Sequence, residues 1–168
     1  QPMSFTEAWN FLLPVMEALE KVHQNKLIHR DISPDNFIIK EDGSIKLLDF
    51  GSAREYAEEK TMTVLVKKGY APPEQYSRKG KQGPWTDIYS ICATLYEMIT
   101  GVIPQPAMER LKADKLYLPS SYGCDITPLQ EKILMKGLAL DYKKRYKDIA
   151  ELKNSFFPEK QERQKKNK

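Results

Sequence analysis

Residues 29–36 read HRDISPDN, and Asp49-Phe50-Gly51 follows thirteen residues later. Two carboxylates, Asp31 and Asp49, and one carboxamide, Asn36, therefore stand on either side of two short apolar runs. These are hard oxygen donors. Mg²⁺ takes few protein ligands and keeps several waters, so one carboxylate and one amide oxygen suffice to hold it beside a phosphate chain. A further carboxylate, free of metal, can orient a hydroxyl and accept its proton. Gly51 lets the backbone turn sharply after Asp49-Phe50 and keeps that aspartate aimed at the metal.

The elements that must position these groups are legible from pattern. "FIIK" and "SIKLL", separated by "EDG", read as a small antiparallel hairpin carrying the polar motifs. Ahead of it, residues 4–23 form an amphipathic helix: Ser4 and Glu7 have capping-box spacing, and Leu12, Val15, Met16, Leu19 and Val22 line one face. Pro14 removes one ladder bond and is expected to bend that helix. Residues 52–83 show no sustained periodicity and are expected to form a long functional loop. "TDIYSICATLYEMITG" is apolar on most sides, which marks a helix in the middle of a domain, with Gly101 as its stop. Two more helices are expected: one opened by Thr127-Pro128 with Gln130 completing its capping box and running to about Leu140, and one over residues 147–157, stopped by Pro158. The fold class is mainly α, a helical bundle around one central buried helix.

The 168 residues suffice for one domain with a sizeable core. The net charge of +4 owes much to residues 159–168, EKQERQKKNK, expected to be a solvated, frayed tail. The remaining body is nearly neutral, which argues against nucleic acid as a partner. Cys92 and Cys124 have neither a disulfide framework nor metal-ligand spacing, consistent with a cytoplasmic protein. No apolar run approaches the roughly 20 residues that span a bilayer. A membrane segment after residue 168 would place the chain at the cytoplasmic face, with the basic tail against anionic lipid.

HRDISPDN followed by DFG resembles the catalytic loop and metal-binding motif of protein kinases. The likeness continues through GYAPPEQY, similar to the end of the activation segment, through the central helix with Asp87, and through DYKKRY with Arg145. It covers about the whole chain, and GYAPPEQY is closer to bacterial kinases than to animal ones. The resemblance implies a kinase C-terminal lobe over residues 1–158, ATP and Mg²⁺ as nucleotide and cofactor, and a protein substrate bearing serine or threonine. It assigns Asp31 to the substrate hydroxyl, Asn36 and Asp49 to Mg²⁺, and Ile38 to the apolar floor under adenine. Arg30 would pair with a phosphate on the activation segment, at Thr61 or Thr63, with Tyr56 a weaker site. Asp87 would brace the His29–Arg30 turn, His29 would be structural, and Glu74 and Arg145 would form a buried ion pair anchoring the segment.

The pattern departs from the family in two places. Where serine/threonine kinases carry lysine two residues after the loop aspartate, this chain has Ser33, which cannot supply a positive charge to the transferring group. Where they carry threonine before the segment end, it has Lys67. In kinases these positions adjoin, so Lys67, or else Lys68, is expected to replace the absent loop lysine. Further, no Gly-rich loop, strand lysine or helical glutamate precedes the motifs. The N-terminal lobe is expected to be a partner from the same polypeptide, and the chain alone nearly inactive. A pseudokinase scaffold and a small-molecule phosphotransferase are the alternatives. Pro73-Glu74 and Arg145 disfavour the second, since they suit an anchored peptide-docking segment.

Overall fold

Ser4 starts the first helix through reciprocal bonds: its Oγ accepts the Glu7 N–H at 3.3 Å, and a Glu7 carboxylate oxygen accepts the Ser4 N–H at 2.9 Å. In the computed structural model, which describes residues 1–48, 54–55 and 66–156, this helix, α1, spans Phe5–Gln24. Pro14 lies within it, and the helix runs unbroken past that position. Residues three and four apart (Phe5, Ala8, Trp9, Leu12, Val15, Met16, Leu19, His23) form its buried stripe. Trp9 stacks on Phe156 with ring centroids 3.9 Å apart, closing the last of the described residues onto α1.

The hairpin forms where two short, mainly apolar runs flank a tight turn. Strand β2, Phe37–Ile39, pairs antiparallel with β3, Ile45–Leu47, and Gly43 at φ +79° supplies the left-handed turn residue between them. A second two-stranded ladder joins β1, Leu27–Ile28, to β4, Arg54–Glu55. That strand and the 3₁₀ turn Pro73–Tyr76 are short regular pieces within residues 52–83, the stretch expected to form a long functional loop. A two-residue strand has too few positions for a period to be read, and its stability comes from its partner.

Helix α2, Pro84–Thr100, is the central element. Of its residues only Trp85, Glu97 and Met98 escape full burial. It packs against α1 and against α4, Pro128–Gly137. Its buried hydroxyls are satisfied locally: Thr94 and Thr100 donate to the carbonyls one turn back at 2.9 and 2.7 Å. Gly101, at φ +75°, ends it with its N–H on the Glu97 carbonyl at 2.7 Å.

The C-terminal helices differ from expectation in number and length. A six-residue helix, α3, spans Ala107–Lys112 and lacks any local cap that would betray it. It is held by Arg110, buried and donating to the Tyr89 hydroxyl at 3.1 Å and the Leu138 carbonyl at 2.7 Å. Helix α4 has the Thr127–Gln130 capping box but stops at Gly137, short of Leu140. The last helix, α5, is Ile149–Ser155 because the Asp148 carboxylate caps it, accepting the Glu151 N–H at 2.8 Å. Pro158 lies outside the described residues. The result is mainly helical around a central buried helix, with one small hairpin. Among the described residues no helix is long and apolar enough to cross a membrane.

Candidate active site

The loop between β1 and β2 carries the polar octet, and α2 holds it from below. Asp87, in the first turn of α2 and fully buried, accepts the His29 N–H at 2.8 Å and the Arg30 N–H at 2.9 Å. A third group, His23 Nε2, lies 2.8 Å from the same carboxylate. His23 was not singled out from sequence, although it continues the stripe of α1 four residues after Leu19. Arg30 adopts φ +72°, a left-handed conformation that costs a non-glycine residue about 1–3 kcal/mol unless its surroundings over-determine it. They do here: Asp87 holds its N–H, and the buried Gln75 donates to its carbonyl at 2.5 Å.

His29 is fully buried, and its two ring nitrogens have opposite roles. Nε2 lies 3.0 Å from the Leu48 carbonyl, which can only accept, so Nε2 carries the proton. Nδ1 then accepts the Asp31 N–H at 3.2 Å. Leu48 is gripped from the other side as well, its N–H donating to the Asn36 carbonyl at 2.7 Å. The residue immediately before Asp49 is thereby tied to the octet by both of its peptide groups. Asp49, Phe50 and Gly51 themselves, like Tyr56, Thr61 and Thr63, lie outside the described residues.

Pro34–Asn36 forms a 3₁₀ turn that returns Asn36 towards Asp31. Asn36 Nδ2 donates to the Asp31 carbonyl at 2.7 Å. Its Oδ1 has no protein hydrogen bond among the described residues and remains available as a hard ligand. The Asp31 carboxylate is partly exposed (22%) and so within reach of a hydroxyl from outside the chain. Ile38 is 46% exposed on the hairpin.

Lys67 enters this group from the other end of the chain's long connection. Its Nζ donates to Ser33 Oγ at 2.7 Å and lies 3.2 Å from Asp35 Oδ2 and 3.9 Å from Asp31 Oδ1. Lys68, the other candidate, is exposed and has no ion pair among the described residues. Asp35 was not singled out from sequence; an exposed acid beside a proline gives no local signal. The Lys67 carbonyl accepts the N–H groups of Tyr70 and Ala71 at 3.1 and 3.0 Å, so its backbone is pinned in a turn. Gly69 at φ +87° completes that turn, where a Cβ would strike the Ile103 side chain. Tyr70 donates its hydroxyl to Glu97 at 2.5 Å, and Ser90 donates to the Tyr70 carbonyl at 2.8 Å. Burial, then the Glu97 carboxylate, push the Tyr70 hydroxyl pKa well up, so it stays a donor.

Glu74 and Arg145 meet in a two-pronged pair at 2.6 and 3.0 Å, both buried. Arg145 sends its remaining N–H groups to the carbonyls of Ala139, Leu140 and Trp85, and Glu74 also accepts from Thr86 at 3.1 Å. Every guanidinium donor is used, which is what makes a buried charge tolerable. The arrangement as a whole exposes one carboxylate and one amide oxygen beside a lysine, on a backbone held by buried anions.

The protein kinase domain profile matches residues 1–154. A probable serine/threonine-protein kinase PknB of Lactococcus lactis is 30% identical over 160 residues, covering 90% of this chain and 25% of that protein. The serine/threonine-protein kinase PrkC of Bacillus subtilis is 32% identical over 171 residues, covering 92% of this chain and 26% of the relative. The chain thus spans about a quarter of the length of these curated relatives. The solved structure "PpkA-294 apo form" aligns with a TM-score of 0.75 at 31% identity, covering 92% of this chain and 54% of that one.

Proposed function

The chain belongs to the protein kinase family, and on that premise we propose that it is the catalytic and substrate-binding lobe of an enzyme transferring the γ-phosphoryl group of ATP to serine or threonine hydroxyls of proteins. Asp31 orients the substrate hydroxyl and accepts its proton as the oxygen bonds to the γ-phosphorus. The bond from that phosphorus to the bridging oxygen breaks, and its electron pair leaves with ADP. Asn36 Oδ1 and the Asp49 carboxylate are the residues that would hold Mg²⁺, and two hard oxygens fit that ion. When bound, Mg²⁺ draws negative charge off the phosphate oxygens.

The observation that carries the reading is the clasp at Asp31: its carbonyl is held by Asn36 at 2.7 Å and its N–H by His29 at 3.2 Å, leaving the carboxylate alone uncommitted to backbone. A base fixed this way spends no reorganisation during reaction. His29, Asp87, Glu74 and Arg145 act as framework, and Ile38 would lie under the base of ATP. Arg30 is assigned to a phosphate on Thr61 or Thr63. The N-terminal lobe that covers ATP belongs to the same polypeptide, which acts in the cytoplasm or at the cytoplasmic face of a membrane.

The test is phosphate incorporation from radiolabelled ATP into a mixed serine/threonine peptide library by the full-length protein. Asp31→Asn is expected to lower turnover by about 10²–10⁴-fold while nucleotide still binds. ATP binding without any turnover by the wild type would instead favour a scaffold.

A further inference from the structure

We propose that Lys67 supplies the cation that meets the transferring phosphoryl group, and that this charge reaches Asp31 only while the segment from Lys67 to Tyr76 is docked. The inference rests on the kinase reading above. Ser33 is fully buried and neutral, so the octet has no cation of its own directed at Asp31 from that position. Lys67 Nζ fills the gap, held by Ser33 Oγ at 2.7 Å and Asp35 at 3.2 Å, and 3.9 Å from the Asp31 carboxylate. An ammonium there is one oxygen's breadth from where a hydroxyl on Asp31 would attack. It donates hydrogen bonds to the γ-phosphoryl oxygens as their charge develops, and neither gains nor loses its proton.

A lysine in the octet would be present whatever the rest of the chain did. A lysine at position 67 is not, because its backbone belongs to another piece of chain. That piece is docked by Tyr70 to Glu97 at 2.5 Å, Ser90 to the Tyr70 carbonyl at 2.8 Å and Gln75 to the Arg30 carbonyl at 2.5 Å next to the site, and by the buried Glu74–Arg145 pair and the Thr86 hydroxyl further along. The turn in which the Lys67 carbonyl accepts two N–H groups then converts docking into the position of the ammonium. Segment docking and delivery of the catalytic charge are one event, which makes the segment a switch on the chemical step as well as on substrate access.

The experiment measures kcat and the KM for ATP in the full-length protein, with melting temperatures recorded for every variant. Lys67→Met is expected to lower kcat roughly a hundredfold with little change in KM for ATP. Returning the lysine to the octet, Ser33→Lys with Lys67→Met, should restore most of the loss, since an ammonium carried by residue 33 would take the place beside Asp31 that the Lys67 Nζ gives up. Tyr70→Phe should lower kcat in the wild type and have little effect in that relocated background. As a second route that leaves position 33 untouched, Lys67→Cys alkylated with 2-bromoethylamine should regain turnover, whereas alkylation with iodoethane should not. Wild-type kcat in Lys67→Met overturns the proposal. So does failure of both rescues, which would make Lys67 a structural bridge, and so does a Tyr70→Phe effect of equal size in both backgrounds. A wild type that transfers no phosphate at all overturns the proposed function and this inference with it; activity with an inert Lys67 overturns only the inference.

Discussion

The Arg30 N–H sits 2.9 Å from the Asp87 carboxylate, 57 residues away in sequence, while Arg30 itself holds φ +72°. The brace and the strain belong together: a left-handed arginine persists because a buried anion in α2 accepts its amide and that of His29. Asp87→Ala would leave two peptide N–H groups and His23 Nε2 without their acceptor. The expected loss is about 3 kcal/mol or more, read from urea unfolding midpoints. Asp87→Asn, which can offer only one oxygen, should lie between that variant and the wild type.

The Glu74–Arg145 pair makes a second prediction about stability. Removing either partner leaves a buried charge uncompensated, at a cost of about 3–5 kcal/mol. Arg145→Met should cost more than Glu74→Gln, because Arg145 also serves the carbonyls of Ala139, Leu140 and Trp85. Chemical denaturation of both variants checks the order; equal losses would mean that those three carbonyls find water.

Gly137 lets α4 approach α2. A Cβ at that position would overlap the Cys92 side chain in the core. Gly137→Ala should therefore destabilise by about 1–3 kcal/mol. Adding Cys92→Ala should recover part of that loss, a non-additivity that thermal melting of the two single variants and the double variant will show.

The link between α3 and the segment after it should fail in acid. Arg110 grips Asp114 at 2.9 Å through two nitrogens, and those hydrogen bonds hold the Asp114 carboxyl below its usual pKa. A folded-state pKa below the unfolded one means stabilisation that is full above the ordinary carboxylate pKa of about 4 and is lost as pH falls through the lower folded value. Asp114→Asn should then be less stable than the wild type at pH 7, and the gap between their urea midpoints should close on acidification. A gap that does not change with pH would remove the carboxylate from the account.

Much of the architecture was legible because its signals are local. The Ser4–Glu7 and Thr127–Gln130 boxes, the Gly101 stop and the β2–β3 hairpin each involve residues only a few positions apart. The helix α3 was not legible, since six residues without a cap hold their shape through the reach of Arg110 to Tyr89 and Leu138. The strand pair β1–β4 was hidden for the same reason: its two members are short and specify nothing until they meet.

At the site, residue types and spacing named the chemistry. Asp31 and Asn36 stand five apart, and that separation alone brings the carboxamide back to the Asp31 carbonyl across a single 3₁₀ turn. Sequence could not choose between Lys67 and Lys68, nor find His23, Asp35 or Gln75. Those depended on where a chain 34, 45 or 64 residues distant comes to rest. Side-chain chemistry and local hydrogen bonding are properties of a few consecutive residues, so the sequence by itself determined the capped helices, the β2–β3 hairpin and the inventory of oxygen donors. Which charge faces which carboxylate is set by burial of α2 among its neighbours, and only the tertiary structure decided it.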